Sequence, residues 1–545
     1  MLSEAFSRSN AVRLRVVSAW LALGLAYVSA LPVHGRPMPL PAQLATAPAT
    51  APATDQIIVK LRTEGVERMS AAEQRLQVES VAARVDPALI YKADHGNGVH
   101  TLRLGGPGSG RLGVANVQAV AAQLAADPRV LYAEPDWIMW PTLTPNDSLY
   151  AAQWNYMAVT SANYGVNLPA AWDVITGSSS IVVAVIDTGY RPHVDLANRF
   201  VQGYDFIDLE FDELNYFAAS ANDGDGRDAD ARDPGDWITS AESVSGWFRG
   251  CPQSNSSWHG THVAGTIGAV SNNGSGVTGI NWVSKILPVR VLGKCGGYTS
   301  NIVDGMRWAA GLPVAGVPVN ANPAQVLNIS LGGSCSLSGP CCPDVYRSAI
   351  DDIVAAGAVV VVAAGNSHRL VSTAVPAVCD GVITVAATGQ RGNRSLYSNY
   401  GPQVEIAAPG GDNEVDSQIL STLNAGTTVP AADSYAKYQG TSMAAPHVAG
   451  IASLVLSVNP CLTPRQVNEI LRSTVTAFPA GSTCTTASCG AGIVNAGAAV
   501  AAARTLRAQR GAARDVQPLG QAGLLRSLLS HNILIPTAYR NFRGC

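Results

Sequence analysis

The sequence predicts an α/β fold: a mostly parallel sheet with helices on both faces, preceded by a small α+β module. Three observations predict it. Ile181–Ile186 (IVVAVI) and Val359–Ala364 (VVVVAA) are uninterrupted runs of apolar, largely β-branched residues, as expected of strands buried on both faces. Further apolar runs near Leu287, Val326, Val382 and Glu405 alternate with helical segments near Thr261, Asn301, Asp344 and Ser442. Such alternation implies a parallel sheet with functional residues at strand ends. The 53 glycines among 545 residues suit tight turns and close helix–sheet packing.

Taken in order, residues 1–30 read as a signal peptide. Arg8, Arg13 and Arg15 give a positive start, and Val28-Ser29-Ala30 offers a small-x-small cleavage site. The apolar stretch Val16–Ala30 is short for a membrane span, so no stable membrane association is expected. Residues 31–54, rich in Pro, Ala and Thr, read as a linker. Residues 55–141 form the small module, with strands at Gln56–Leu61 and Val130–Asp136 and helices at Ser70–Ala83 and Val114–Ala126. Residues 142–503 hold the larger α/β domain. The arginine-rich segment 504–545 reads as a mobile tail or as a C-terminal prosegment, with one short amphipathic helix at Gly523–Leu529. Charged residues make up 14% of the chain and the net charge is −3, a balance that argues against a nucleic-acid partner.

Three segments carry chemistry. Asp187 ends the first buried run, in Ile186-Asp187-Thr188-Gly189, where an ionised carboxylate must be hydrogen-bonded. His259 opens His259-Gly260-Thr261-His262-Val263-Ala264-Gly265-Thr266. Ser442 lies in Gly440-Thr441-Ser442-Met443-Ala444-Ala445-Pro446-His447, its hydroxyl left open by small neighbours. A hydroxyl is too weak an acid to attack unaided. An imidazole titrating near neutrality can take its proton, and a carboxylate can orient the imidazole. The chain order Asp, His, Ser excludes the chymotrypsin and α/β-hydrolase arrangements.

These segments resemble the subtilisin-like serine proteases, which implies a subtilisin-like fold and a secreted serine endopeptidase of broad specificity. In that resemblance Asp187, His259 and Ser442 are the catalytic residues. Asn366, in Val362-Ala363-Ala364-Gly365-Asn366, supplies an oxyanion donor together with the Ser442 N–H. His262 and His447 are structural. Ser330, Leu331 and Gly332 line the pocket for the residue before the scissile bond, and Gly296 and Gly297 form the opposing wall. The substrate is then a protein or peptide paired as an added strand and read mostly through its backbone. Residues 55–141 resemble a propeptide that inhibits the enzyme intramolecularly until it is cut away, and the product is expected to be a monomer.

Structural calcium is the expected cofactor. Asp223, Asp225, Asp228, Asp230, Asp233 and Asp236 crowd one glycine-bearing loop, where a hard cation would offset their repulsion, although the spacing is not that of an EF-hand. A second site is implied by resemblance, at the loop Val270–Val277 with Asn272, Gln153 and Asp195. Ten cysteines in an exported chain imply disulfides. The expected pairs are Cys251 with Cys295, Cys341 or Cys342 with Cys379, and Cys484 with Cys489.

Overall fold

The computed structural model describes residues 54–62, 69–105, 114–137, 143–211, 216–217, 219–335, 341–413 and 417–515. The expected signal peptide, almost all of the linker and the short helix at 523–529 lie outside them.

Alternation in Gln56–Leu61 sends Ile57, Val59 and Leu61 inward, and this sets the small module. Strand β1 (Gln56–Leu61) pairs antiparallel with β3 (Val99–Leu104) and β4 (Val130–Pro135), and β2 (Leu89–Asp94) pairs with β3, giving the order β2-β3-β1-β4. Helices α1 (Ala71–Val85) and α2 (Val114–Ala125) supply Val78, Val81, Val117 and Leu124 to the same core. A capping box opens α1: Ser70 Oγ accepts from Glu73 N–H (3.3 Å), and Glu73 Oε2 accepts from Ser70 N–H (2.7 Å).

The larger domain is built on seven parallel strands. They are β5 (Val182–Asp187), β6 (Tyr204–Asp205), β7 (Lys285–Arg290), β8 (Val326–Ile329), β9 (Val359–Ala363), β10 (Ile383–Thr388) and β11 (Ile406–Pro409), in the order β11-β10-β9-β8-β5-β7-β6. Successive residues of β5 part to opposite faces. Val183 and Val185 join a core with α3 (His259–Gly268) and α6 (Thr441–Val458), while Val182, Ala184 and Ile186 join another with α4 (Thr299–Ala309) and α5 (Asp344–Ala355). The predicted parallel sheet covered on both faces is what forms. Helix α6 is long and apolar enough to cross a membrane, but 89% of that window is buried as the central core helix.

Two elements on the α6 side are additional to those expected, although a Thr463-to-Gln466 capping box marks the start of the second. One is the antiparallel pair β12 (Ile419–Asn424) and β13 (Asp433–Tyr438); the other is α7 (Pro464–Ser473), capped by Thr463. The last helix, α8 (Ala496–Asp515), runs through the boundary expected at 504.

Disulfides Cys251–Cys295, Cys342–Cys379 and Cys484–Cys489 form as expected, with Cys342 taking the place left open between two neighbours. Cys341 instead closes a six-residue separation with Cys335. The 44-residue separation between Cys251 and Cys295 has the larger effect on the unfolded chain. In the chain-entropy model it is about 4 kcal/mol. At the Asp187 end of the sheet, Arg290 and Asp205, 1% and 0% exposed, form a buried ion pair joined by Asp223.

Candidate active site

Asp187 sits at the end of β5, an interior strand of the sheet, fully buried. Its Oδ1 accepts from Thr188 N–H (2.8 Å) and from His259 Nδ1 (2.7 Å). A carboxylate can only accept here, so the His259 proton is on Nδ1 and Nε2 is left as the acceptor. His259 is the first residue of α3. The preceding Trp258 is left-handed (φ 49°) and is anchored by its indole N–H to Gly426 O at 2.6 Å, which fixes where the helix starts. Burial alone would lower the His259 pKa. The charge and hydrogen bond of Asp187, with the charges of Asp236 and Asp233, outweigh burial and leave it above its ordinary 6.5.

Ser442 is the second residue of α6, where backbone N–H groups lack helical partners. Its Oγ donates to Ser330 O (3.1 Å), not to His259, although His259 and Ser442 line the same cleft of about 670 Å³. A free hydroxyl takes the nearest acceptor, and bonds between nucleophile and base often tighten only with substrate in place. The Ser442 carbonyl is positioned by the motif itself. Pro446, four residues on, has no N–H to donate to it, and Ser330 Oγ donates instead (2.9 Å). Asn328 Nδ2 holds Ser330 Oγ in turn (2.9 Å), so the nucleophile's turn is tied to the end of β8.

Asn366 follows β9. Its Oδ1 accepts from both Thr441 N–H (2.9 Å) and Thr441 Oγ1 (2.8 Å), which leaves Nδ2 as the free donor and settles the amide's orientation. Nδ2 and the Ser442 N–H both lie close to Gly440. The position a Cβ would occupy on Gly440 lies 3.5 Å from each, and Gly440 has φ 155°. A side chain there would crowd the space between the two donors. This is the arrangement an oxyanion requires.

Ser330, Leu331 and Gly332 line both the cleft and a deeper pocket walled by Ala363–Asn366 and Thr373–Val375. Gly296 and Gly297 line the cleft with them. His262 and His447 are fully buried. Burial lowers their pKa values to about 3 and about 4, so both are neutral at pH 7, and each is hydrogen-bonded to backbone.

The six aspartates of the acidic loop have mostly separate partners. Asp223 pairs with Arg290 (2.5 Å), and Asp230 is held by Arg232. Asp228 accepts from Asp230 N–H (2.7 Å), and Asp233 accepts from Gly235 N–H (2.8 Å). Asp236 accepts from Ser257, and Asp225 is exposed. Arginines and backbone N–H groups offset part of the loop's negative charge. Among the described residues no three His, Cys, Asp or Glu side chains converge as a metal site.

The second predicted site is different. Asp195 is fully buried, with Oδ1 on Asn273 Nδ2 (2.6 Å) and Oδ2 on Val277 N–H (2.8 Å). Asp147, which sequence reading missed, is 5% exposed and accepts from Asn272 N–H (2.9 Å) and Asn273 N–H (3.3 Å). Burial raises the pKa of both, and neither has a salt-bridge partner among the described residues. Gln153 grips the same loop through Thr278 N–H and Thr278 O, both at 2.9 Å. At Gly276 (φ 59°) a Cβ would fall 2.3 Å from Asp195 Oδ2, so the chain is shaped around the carboxylate. Two buried carboxylates short of positive charge, beside amide oxygens, form a donor set that a hard cation fits.

A model of the peptidase S8, or subtilase, family matches residues 178–496. The chain is 46% identical to an extracellular protease of Xanthomonas campestris pv. campestris, over 84% of this chain and 74% of that one. It is 43% identical to an extracellular basic protease of Dichelobacter nodosus, over 69% of this chain and 59% of that one. Among solved structures it is similar to one titled as proteases from Pseudoalteromonas arctica PAMC 21717. That likeness has 50% identity and a TM-score of 0.60, and covers 66% of this chain and 100% of that one.

Proposed function

Because the chain belongs to the subtilase family of serine peptidases, we propose that it hydrolyses peptide bonds in proteins through Ser442, His259 and Asp187. The observation that carries this reading is the Asp187–His259 hydrogen bond with Ser442 in the same cleft. Ser442 Oγ turns from Ser330 O toward His259 Nε2 and attacks the carbonyl carbon as Nε2 takes its proton. The oxyanion is held by Asn366 Nδ2 and the Ser442 N–H. His259 then protonates the leaving amine, and a water molecule activated by the same nitrogen releases the acyl group. A peptide laid between Ser330–Gly332 and Gly296–Gly297 is read largely through its backbone, which supports broad specificity.

Two experiments test the site. A serine-directed organophosphate should form an adduct at Ser442, found by mass spectrometry; an active protein with no adduct there would overturn the assignment. Asn366→Ala should lower kcat by about 10²–10³-fold, a range that comes from subtilisin itself. Unchanged turnover would remove Asn366 from the oxyanion site.

Residues 55–141 serve in this reading as the intramolecular inhibitor of a self-processed precursor, supported by a core separate from that of the larger domain. The extracellular names of the relatives support secretion, with residues 1–30 as the signal. Structural calcium would be held by Asp147 and Asp195 with oxygens of Gln153, Asn272 and Asn273, where it would offset buried negative charge and brace the loop after α3. Chelator should lower Tm by about 5 °C for a site kept well above its Kd. Asp195→Asn should abolish that shift, and identical melting with and without chelator would overturn the site.

A further inference from the structure

Among the described residues, Asp236 is the one residue of fixed charge lining the cleft that holds His259 and Ser442. It is half-buried and held in place: Oδ1 accepts from Ser257 N–H (2.6 Å) and Oδ2 from Ser257 Oγ (2.7 Å). Ser257 is itself fixed, its carbonyl accepting from Tyr438 Oη (2.9 Å) and its Oγ from His259 N–H (3.3 Å). Two hydrogen bonds leave the carboxylate with unused lone pairs. No lysine or arginine pairs with it among the described residues, in contrast to Asp205, Asp223 and Asp230 of the same region.

The position of Asp236 relative to an extended peptide follows from alternation. The residue before the scissile bond enters the pocket walled by Ser330–Gly333 and Ala363–Asn366, which Asp236, Ser257 and His259 do not line. The next side chain toward the peptide's N-terminus points to the opposite face. The lining that the cleft does not share with that pocket includes His259, Ser257 and Asp236.

We propose that Asp236 selects a basic side chain at the second residue before the scissile bond, an inference that rests on Ser442 being the nucleophile of this cleft. A lysine or arginine there meets a preorganised carboxylate, whereas a glutamate meets like charge beside a half-buried wall. Broad recognition through the backbone is kept, with one charge preference laid over it.

The test is kcat/KM of the active protein on fluorogenic peptides that differ only at that residue, with lysine, norleucine or glutamate. Lysine should exceed norleucine by about tenfold, the effect of one favourable charge contact worth about 1.4 kcal/mol. The preference should shrink as salt screens it, and Asp236→Asn should bring the ratio to about one. A ratio of one in the unaltered protein, or the same ratio in Asp236→Asn, would overturn the inference and leave the peptidase reading standing. Turnover retained in Ser442→Ala would overturn both.

Discussion

Ser442→Ala is expected to lower kcat by about 10⁶-fold, the order found for the nucleophile of subtilisin itself. The substitution removes the one hydroxyl that both faces the cleft and lies at the start of α6, and among the described residues its one side-chain hydrogen bond is to Ser330 O. The fold has little to lose by it, so the thermal melt should be nearly unchanged. Asn366 Nδ2 and the residue-442 N–H remain, as does the peptide-binding wall. A residual rate about 10³-fold above the uncatalysed one is therefore expected. Activity above about 1% of the unaltered protein would mean that another group attacks the carbonyl. The same variant tests self-processing. If residues 55–141 are removed by the chain's own cleft, the alanine protein keeps them attached, and a product of normal length would assign the cut to another protease.

Much of this site is legible in the sequence because each part is local. Ile181–Ile186 and Val359–Ala364 are buried on both faces, so nothing interrupts their apolar pattern, and Asp187 and Asn366 stand where the pattern stops. Small residues around His259 and Ser442 mark helix starts that pack closely. What escaped the sequence depends on distant partners. The six aspartates crowd one loop in the sequence, which does not show Arg290, 67 residues from Asp223, sharing their charge. Asp147 has no motif of its own and matters only because Asn272, 125 residues away, closes over it. Strand β13, Asp433-Ser434-Tyr435-Ala436-Lys437-Tyr438, is too polar to signal a strand, and only its pairing with β12 makes it one. Pro446 is readable as a helix oddity. Its consequence, a carbonyl freed for Ser330 Oγ, needs the fold.

Asp187→Asn should lower kcat/KM by about 10⁴-fold and also move its pH dependence. The asparagine has two orientations, and neither serves. With Oδ1 toward Thr188 N–H and His259 Nδ1, the tautomer is kept but the negative charge that stabilises the imidazolium is gone, and Nδ2 is left buried at the site of the partnerless Oδ2. With Nδ2 toward them, it faces the Thr188 N–H and favours a ring protonated at Nε2, which cannot take the serine proton. The pH argument has a definite sign. The base works as the neutral imidazole, so kcat/KM rises with pH as His259 loses its proton. Its pKa is raised above the ordinary 6.5 mainly by Asp187, against burial, so the midpoint of that rise in the unaltered protein lies above 6.5. In Asp187→Asn burial still lowers the pKa, while only the more distant Asp236 and Asp233 raise it, so the midpoint must move to lower pH. A fall in rate with the midpoint unmoved would show that Asp187 orients His259 without setting its basicity. The 2.7 Å contact would then be a positioning bond, and the raised pKa would belong to Asp236 and Asp233.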